Sequence, residues 1–229
     1  MELIFLVVAA LVVYLLWEHY VASKRRNELA AWAQSHGLHC DFSRDYDYDA
    51  RFPHFDCLRR GGGRYAYNRI SGSWHGYGFL GFDYHYETYS YTKHGRRTHH
   101  YHFSAVILHS PVPLKPLFIR PEGVLDKITE FLGFDDIDFE STEFSRRFYV
   151  KSPDKRWAYD VIHQRTMEFL LASPTFCIAF DRQHAIAYRD QLFTPQEFEA
   201  AATVLQGILD RLPEYVRRAH AHQEGRWSS

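Results

Sequence analysis

Residues 65–109 read YAYNRISGSWHGYGFLGFDYHYETYSYTKHGRRTHHYHFSAVILH, and this stretch decides the fold. Aromatic and apolar residues alternate with polar ones over much of its length, the period-two pattern of a strand with two unlike faces. His75-Gly76 interrupts the pattern as a tight turn, and the polar run 92–98 (TKHGRRT) interrupts it again as a hairpin loop. Three strands result, at 65–74, 77–91 and 99–109, and consecutive strands joined by short loops make an antiparallel meander. Gly78 and Gly81 within the second strand mark a bulge or a close backbone approach.

Working outward from the meander, Pro111, Pro113 and Pro116 form an extended linker to a short strand at 117–120. A helix is predicted over 122–132, with Pro121 at its start and Gly133 at its end. An acidic bend follows at 134–145, then a strand at 146–151. Ser152-Pro153-Asp154 caps a helical stretch that runs, with a break near His163, to Ala172. Residues 176–181 and 185–189 read as a hairpin over Arg182-Gln183-His184. Thr194-Pro195-Gln196-Glu197 is a capping box for a last helix reaching about Arg211, with an apolar stripe of Phe198, Ala201, Ala202, Leu205, Ile208 and Leu209. Pro213 interrupts it. Upstream of the meander, 40–63 is mixed, with a loop, a short strand at 55–58 and the break Gly61-Gly62-Gly63. Residues 25–36 form a helix with Leu29, Trp32 and Ala33 on one face and Gly37 as its stop.

The N-terminal apolar run is bounded by Leu3 and Trp17. At 1.5 Å per residue it covers about 22 Å, short of the ~30 Å hydrocarbon core. Trp17 and Tyr20 extend it as interfacial anchors, so the span ends near Ala22. Val21-Ala22-Ser23 would pass as a signal-peptide cleavage site. However, Met1-Glu2 offers no positive n-region, and Lys24, Arg25 and Arg26 lie on the far side, where positive charge stays cytoplasmic. The expectation is a single-pass anchor in the bacterial inner membrane with the C-terminal domain in the cytoplasm. Three cysteines, an odd number, agree with a reducing compartment.

The organisation expected is therefore α+β: a transmembrane anchor at 1–23, a juxtamembrane helix at 24–37, a β-rich lobe ending in a helix at 38–133, a second α+β lobe at 134–215 and a polar tail at 216–229. One core or two lobes both fit. A hydrophobic content of 46% excludes a disordered chain, and a net charge of -1 argues against a generic nucleic-acid binder, over the 229 residues.

Several stretches resemble a family of bacterial membrane-anchored proteins defined by a domain of unknown function. They are Phe82-Asp83-Tyr84 with Tyr86, Arg120-Pro121-Glu122, and the longest, Gly133-Phe134 through Asp136-Ile137-Asp138-Phe139-Glu140-Ser141 to Glu143-Phe144-Ser145-Arg146 and Phe148. The resemblance covers most of 25–215. It implies an anchored globular domain and carries over no activity, cofactor or catalytic residue.

The sharpest chemical constellation lies on the long hairpin. Alternation puts Asp83, His85 and Glu87 on one strand face and His100 and His102 on one face of the return strand. Were the two faces to coincide, imidazoles and carboxylates would meet across about 5 Å, a set suited to a zinc-like or iron-like divalent metal. One residue of slip would separate them. The expected reading is a solvated polar face opposite an aromatic core face, with no cofactor. In the acidic bend, Asp135, Asp136, Asp138, Glu140 and Glu143 lack EF-hand spacing, and they read as turn caps and ion pairs to Arg120, Arg146 or Arg147. The three glycines lack the Lys-Ser/Thr of a phosphate loop and read as a flexible turn. Arg96 and Arg97 read as a solvated tip. There is no Gly-x-Ser-x-Gly elbow, the spatial relation of Cys57 to His54 is open, and His220 and His222 sit in the tail.

The function expected is thus a membrane-anchored, non-enzymatic binding or scaffolding module. It would contact the bilayer through its helix and a protein partner through its domain, with no nucleic acid. The alternative is a metal-dependent enzyme using the hairpin histidines and acids.

Overall fold

Helix α1 (Glu2–Ser35) runs unbroken from the apolar segment into the charged one. The computed structural model describes residues 2–93, 95–123 and 136–216, and the side chains of these except residues 2, 3 and 18. The helix expected at 122–132 from its third residue onward, its stop Gly133, Asp135 and the tail beyond 216 fall outside the described residues. In the first half of α1 the apolar side chains from Ile4 to Trp17, with Tyr20 and Val21, are exposed, and in the second half Leu29, Trp32 and Ala33 are buried. Among the described residues this is one helix long and apolar enough to cross a membrane. At 34 residues it is about 51 Å long, so it outlasts the ~30 Å hydrocarbon core and delivers its last turns to the protein core.

Gly37 turns the chain with a φ of +67° into β1 (His39–Asp41), the edge of a six-stranded sheet. Strands β2 (Gly62–Trp74), β3 (Tyr77–Thr92) and β4 (Gly95–Pro121) form the antiparallel meander read from the sequence. His75 and Gly76, both at positive φ, make the first turn. The second loop is shorter than predicted: Thr92 pairs with Gly95, so residues expected in the loop, Arg96 to Thr98, continue the strand. At Gly81 an added Cβ would come within 3.1 Å of Phe198, so that glycine marks a close approach, and its pairing with Ile70 borders a register shift in β2.

Three other expectations are corrected. The three prolines do not form a linker, since β4 runs through them to Pro121; they are tolerated where the pairing with β6 shifts register. The expected hairpin at 176–189 is one strand, β6 (Cys177–Arg189), pairing along β4 from Ile119 to Ser104. The polar Arg182-Gln183-His184 bends it at a positive φ on Arg182 instead of reversing it. The short strand expected at 55–58 is a 3-10 turn (Asp56–Arg59), preceded by the single-turn helix α2 (Tyr48–Arg51).

Beyond the seam, α3 (Thr142–Arg147) leads to β5 (Phe148–Lys151), which pairs with the end of β4. Helix α4 (Lys155–Val161) starts at Asp154, whose side chain accepts from the Trp157 N–H at 3.0 Å. Helix α5 (Gln164–Ala172) follows the expected break at His163. Helix α6 (Pro195–Asp210) begins with the complete Thr194/Glu197 capping box. One sheet therefore crosses position 134, because β5 and β6 of the second block pair with β4 of the first.

Alternation divides the core between the sheet's two faces. Ile70, Phe79, Val106 and Leu108 pack with Leu29 and Trp32 of α1, Phe198 and Leu205 of α6, and Leu170 of α5. Phe82, Tyr84, Phe103 and Ile107 pack under Tyr48, Phe52, Phe55 and Leu58. The segment 45–60, unremarkable in sequence, is thus the lid of the second face, which is why aromatic residues line both sides of the meander.

Candidate functional site

The helical face of the β3–β4 hairpin carries apolar residues only as far as α1 and α6 cover it; beyond them it continues as a polar ladder. The register sets Asp83 opposite Ser104, His85 opposite His102 and Glu87 opposite His100. The two predicted faces therefore coincide.

The first rung joins α1 to the sheet. Arg25 grips Asp83 with both terminal nitrogens, at 2.5 Å to Oδ2 and 2.9 Å to Oδ1, and donates to the Phe193 carbonyl from Nη2 at 2.8 Å. Asn68 and Ser104 donate to the same carboxylate at 2.8 and 2.5 Å, and the Ser104 hydroxyl accepts from the Phe193 N–H. The Asp83 side chain is wholly buried. A buried carboxylate is tolerable only when charge-paired and fully hydrogen-bonded, and each of those needs is met here. Asp83 is thus committed to Arg25 and removed from the predicted metal set. Arg25, read from the sequence as a topology signal, is also a structural residue. Lys24 faces Glu28 at 3.9 Å, and Arg26 lies over the Phe42 ring.

On the second rung, His102 Nδ1 and the Tyr67 hydroxyl are 2.9 Å apart. Burial, then the neighbouring His85, pushes the His102 pKa down. Burial and the charge of Asp83 push the Tyr67 phenol far up, keeping it protonated. His85 is only 4% exposed, stacked on Tyr65 with ring centroids 4.5 Å apart, so the expectation of a solvated surface histidine is corrected there. The cause is the aromatic content of β2, which the hairpin reading left out: Tyr65 and Tyr67 roof the face.

The third rung brings His85, Glu87 and His100 together, their ligand atoms all within 4.8 Å of one another. His85 Nδ1 lies 2.9 Å from the Gly63 carbonyl, and its Nε2 lies 3.1 Å from His100 Nδ1. Glu87 Oε1 is 3.5 Å from His100 Nδ1, and the Tyr89 hydroxyl donates to Glu87 Oε2 at 3.0 Å. Gly61 and Gly63 hold positive φ, and a Cβ on Gly63 would sit 2.9 Å from the Glu87 carboxyl carbon. The glycine run read as a flexible turn is therefore a shaped cradle. Chemically, this rung offers two imidazole nitrogens and one carboxylate oxygen toward a common point.

Where the ladder meets α1, a cleft of about 720 Å³ opens between Tyr14, Trp17 and Val21 of α1 and Tyr67, His102 and Leu192 of the domain, with Arg25 and Arg26 on its wall. Its apolar end lies beside the residues assigned from sequence to the membrane interface. Tyr67, Asn68, Ser104 and Leu192 were not legible as site residues; the only signal was register, for Ser104 opposite Asp83.

The remaining candidates are structural. Asp136 Oδ1 accepts from the Val150 N–H at 3.1 Å, and Ser141 caps α3. Arg147 donates to the Leu171 carbonyl at 2.6 Å and Arg120 lies over the Tyr149 ring. His54 Nδ1 is turned to Asp181 at 3.2 Å, while Cys57 is buried in the second-face core. Arg96 lies over the Tyr89 ring at 4.3 Å.

Fold and site together define an α+β domain built onto an apolar N-terminal helix. No family model and no curated protein sequence matches the chain. A similar solved structure is the crystal structure of the mycobacterial trehalose monomycolate transport factor A, TtfA, with a TM-score of 0.60 over 82% of this chain and 96% of that one. At 14% identity this likeness is one of fold.

Proposed function

We propose that the protein is a membrane-anchored, non-enzymatic binding or scaffolding module, carried on the inner face of a bacterial membrane with its domain in the cytoplasm. The observation that carries this reading is the buried Arg25–Asp83 pair. A tether that merely delivered a domain to the bilayer would need no charge buried in the sheet. This pair instead fixes the domain's pose against its anchor, which is useful when a partner in the same membrane must be met in one orientation. Membership of the anchored bacterial family that 133–148 resembles belongs to the same proposal. TtfA is named as a transport factor, and the proposal agrees with that name only by analogy of fold.

The test uses the full chain in native membranes. A reporter fused after Ser229 is expected to be active only in the cytoplasm. A photo-crosslinking residue at Leu192, or at the exposed Tyr101, is expected to yield one discrete protein adduct that disappears in Arg25→Ala membranes. A reporter active only outside the cell would reject the orientation. The same set of adducts with and without Arg25 would reject a pose-dependent partner. A metal-dependent enzyme remains the second reading, favoured by the His85, Glu87 and His100 geometry alone.

A further inference from the structure

We infer that His85 Nε2, His100 Nδ1 and Glu87 Oε1 form a divalent metal site of zinc type, with three protein ligands and one open position. This stands apart from the anchored-module reading and survives if that reading fails.

The spacing comes first. Two ligands at a tetrahedral zinc, each about 2.0–2.1 Å from the ion, stand roughly 3.3 Å apart. The imidazole nitrogens are 3.1 Å apart and the carboxylate oxygen is 3.5 Å from His100 Nδ1. The ligand atoms of all three residues lie within 4.8 Å of one another, so an ion needs the imidazoles and the carboxylate to turn toward a point off the line between the two nitrogens, and it displaces the proton that the two imidazoles otherwise share.

The surrounding groups orient the ligands as metal sites require. A backbone carbonyl at His85 Nδ1 selects the tautomer whose Nε2 lone pair is free, and the Gly63 oxygen is placed to do this at 2.9 Å. Tyr89 holds Glu87 Oε2, which leaves Oε1 for the ion. Gly63 holds a φ of +58°, and any side chain there would push the Glu87 carboxyl group from its place. The position of the ion is half-sheltered, because His85 is buried while the His100 side chain is 57% exposed. The open position faces solvent, where water or a ligand from a partner completes the shell. Two imidazoles and one carboxylate favour zinc over magnesium or calcium, which take oxygen shells.

The experiment uses the full chain, purified in detergent and stripped with a chelator, with Zn²⁺ titrated calorimetrically and Co²⁺ added as a spectroscopic probe. One equivalent of Zn²⁺ is expected to bind, and Co²⁺ is expected to give the intense visible bands of a four- or five-coordinate site. His100→Gln and Glu87→Gln should each weaken Zn²⁺ by more than ~100-fold, and Tyr89→Phe by about 10-fold, as outer-shell losses do. His99→Gln should change nothing. If His85→Gln fails to fold, the exposed His100 carries the test. Absence of stoichiometric binding, an octahedral Co²⁺ spectrum, or binding lost only when His220 and His222 are replaced would each overturn the site.

Discussion

At the scale of single residues, Asp83 and His85 show how two neighbours on one strand face acquire unlike chemistry. Asp83 receives Arg25, Asn68 and Ser104 and becomes part of the scaffold; His85, one rung on, is held by Gly63 and Tyr65 with a ring nitrogen to spare. Removing one member of a buried ion pair leaves the other uncompensated, so Asp83→Ala or Arg25→Ala should each cost about 3 kcal/mol, while Arg25→Met with Asp83→Leu should recover most of it. Urea denaturation of the detergent-solubilised chain measures this, and an additive double variant would contradict the coupling. A second residue-scale expectation concerns acid. Burial, then the adjacent His109, lowers the pKa of His184 from 6.5, and His102 is shifted the same way. The unfolded chain therefore takes up protons first, so stability is complete above pH 6.5 and declines as pH falls below it. Melting temperature against pH should show that decline, and His184→Gln should flatten it; an unchanged slope would assign it to other groups.

At the scale of elements, α6 is the helix that closes the sheet, and its start is set by local chemistry. The Thr194 hydroxyl accepts from the Glu197 N–H while the Glu197 carboxylate accepts from the Thr194 N–H. Thr194→Ala should cost about 1 kcal/mol in equilibrium unfolding with little change in the slope of the transition. A loss near zero would mean that packing of Phe198 and Leu205 alone holds the helix start. The contrast with β6 is instructive. Its polar run Arg182-Gln183-His184 looks locally like a stop, but it has long partners on β4 to pair with on each side. The strand therefore bends and continues, whereas a hairpin was the locally reasonable reading.

At the scale of the molecule, the apolar segment and the domain share a helix, and the second half of that helix shares the domain's core. Leu29, Trp32 and Ala33 are buried against the sheet and α6, and Arg25 lies one to two turns before them. A fragment starting at Lys24 should accordingly fold without detergent, and one starting at Leu38 should lose near-ultraviolet circular dichroism and aggregate, since Trp74, Phe79 and Phe198 lose their cover. Equal stability of the two fragments would show that the core ends at the sheet and that the second half of α1 is only a stalk.

The sequence by itself determined the α+β class, the meander and its first turn, the apolar helix, the buried face of Leu29, Trp32 and Ala33, the caps at Asp154 and Thr194, and the break at His163. Each of these is set by period, capping or backbone preference within a few residues. Only the tertiary structure decided which polar side chains meet. Register across the 92–95 turn brought His85, Glu87 and His100 together. A contact across 58 residues of sequence took Asp83 away from them and gave it to Arg25. The roof of Tyr65 and Tyr67 and the lid of 45–60 were likewise out of reach, because burial of a residue depends on what packs above it, and alternation along a strand specifies its face but not the partner that covers it.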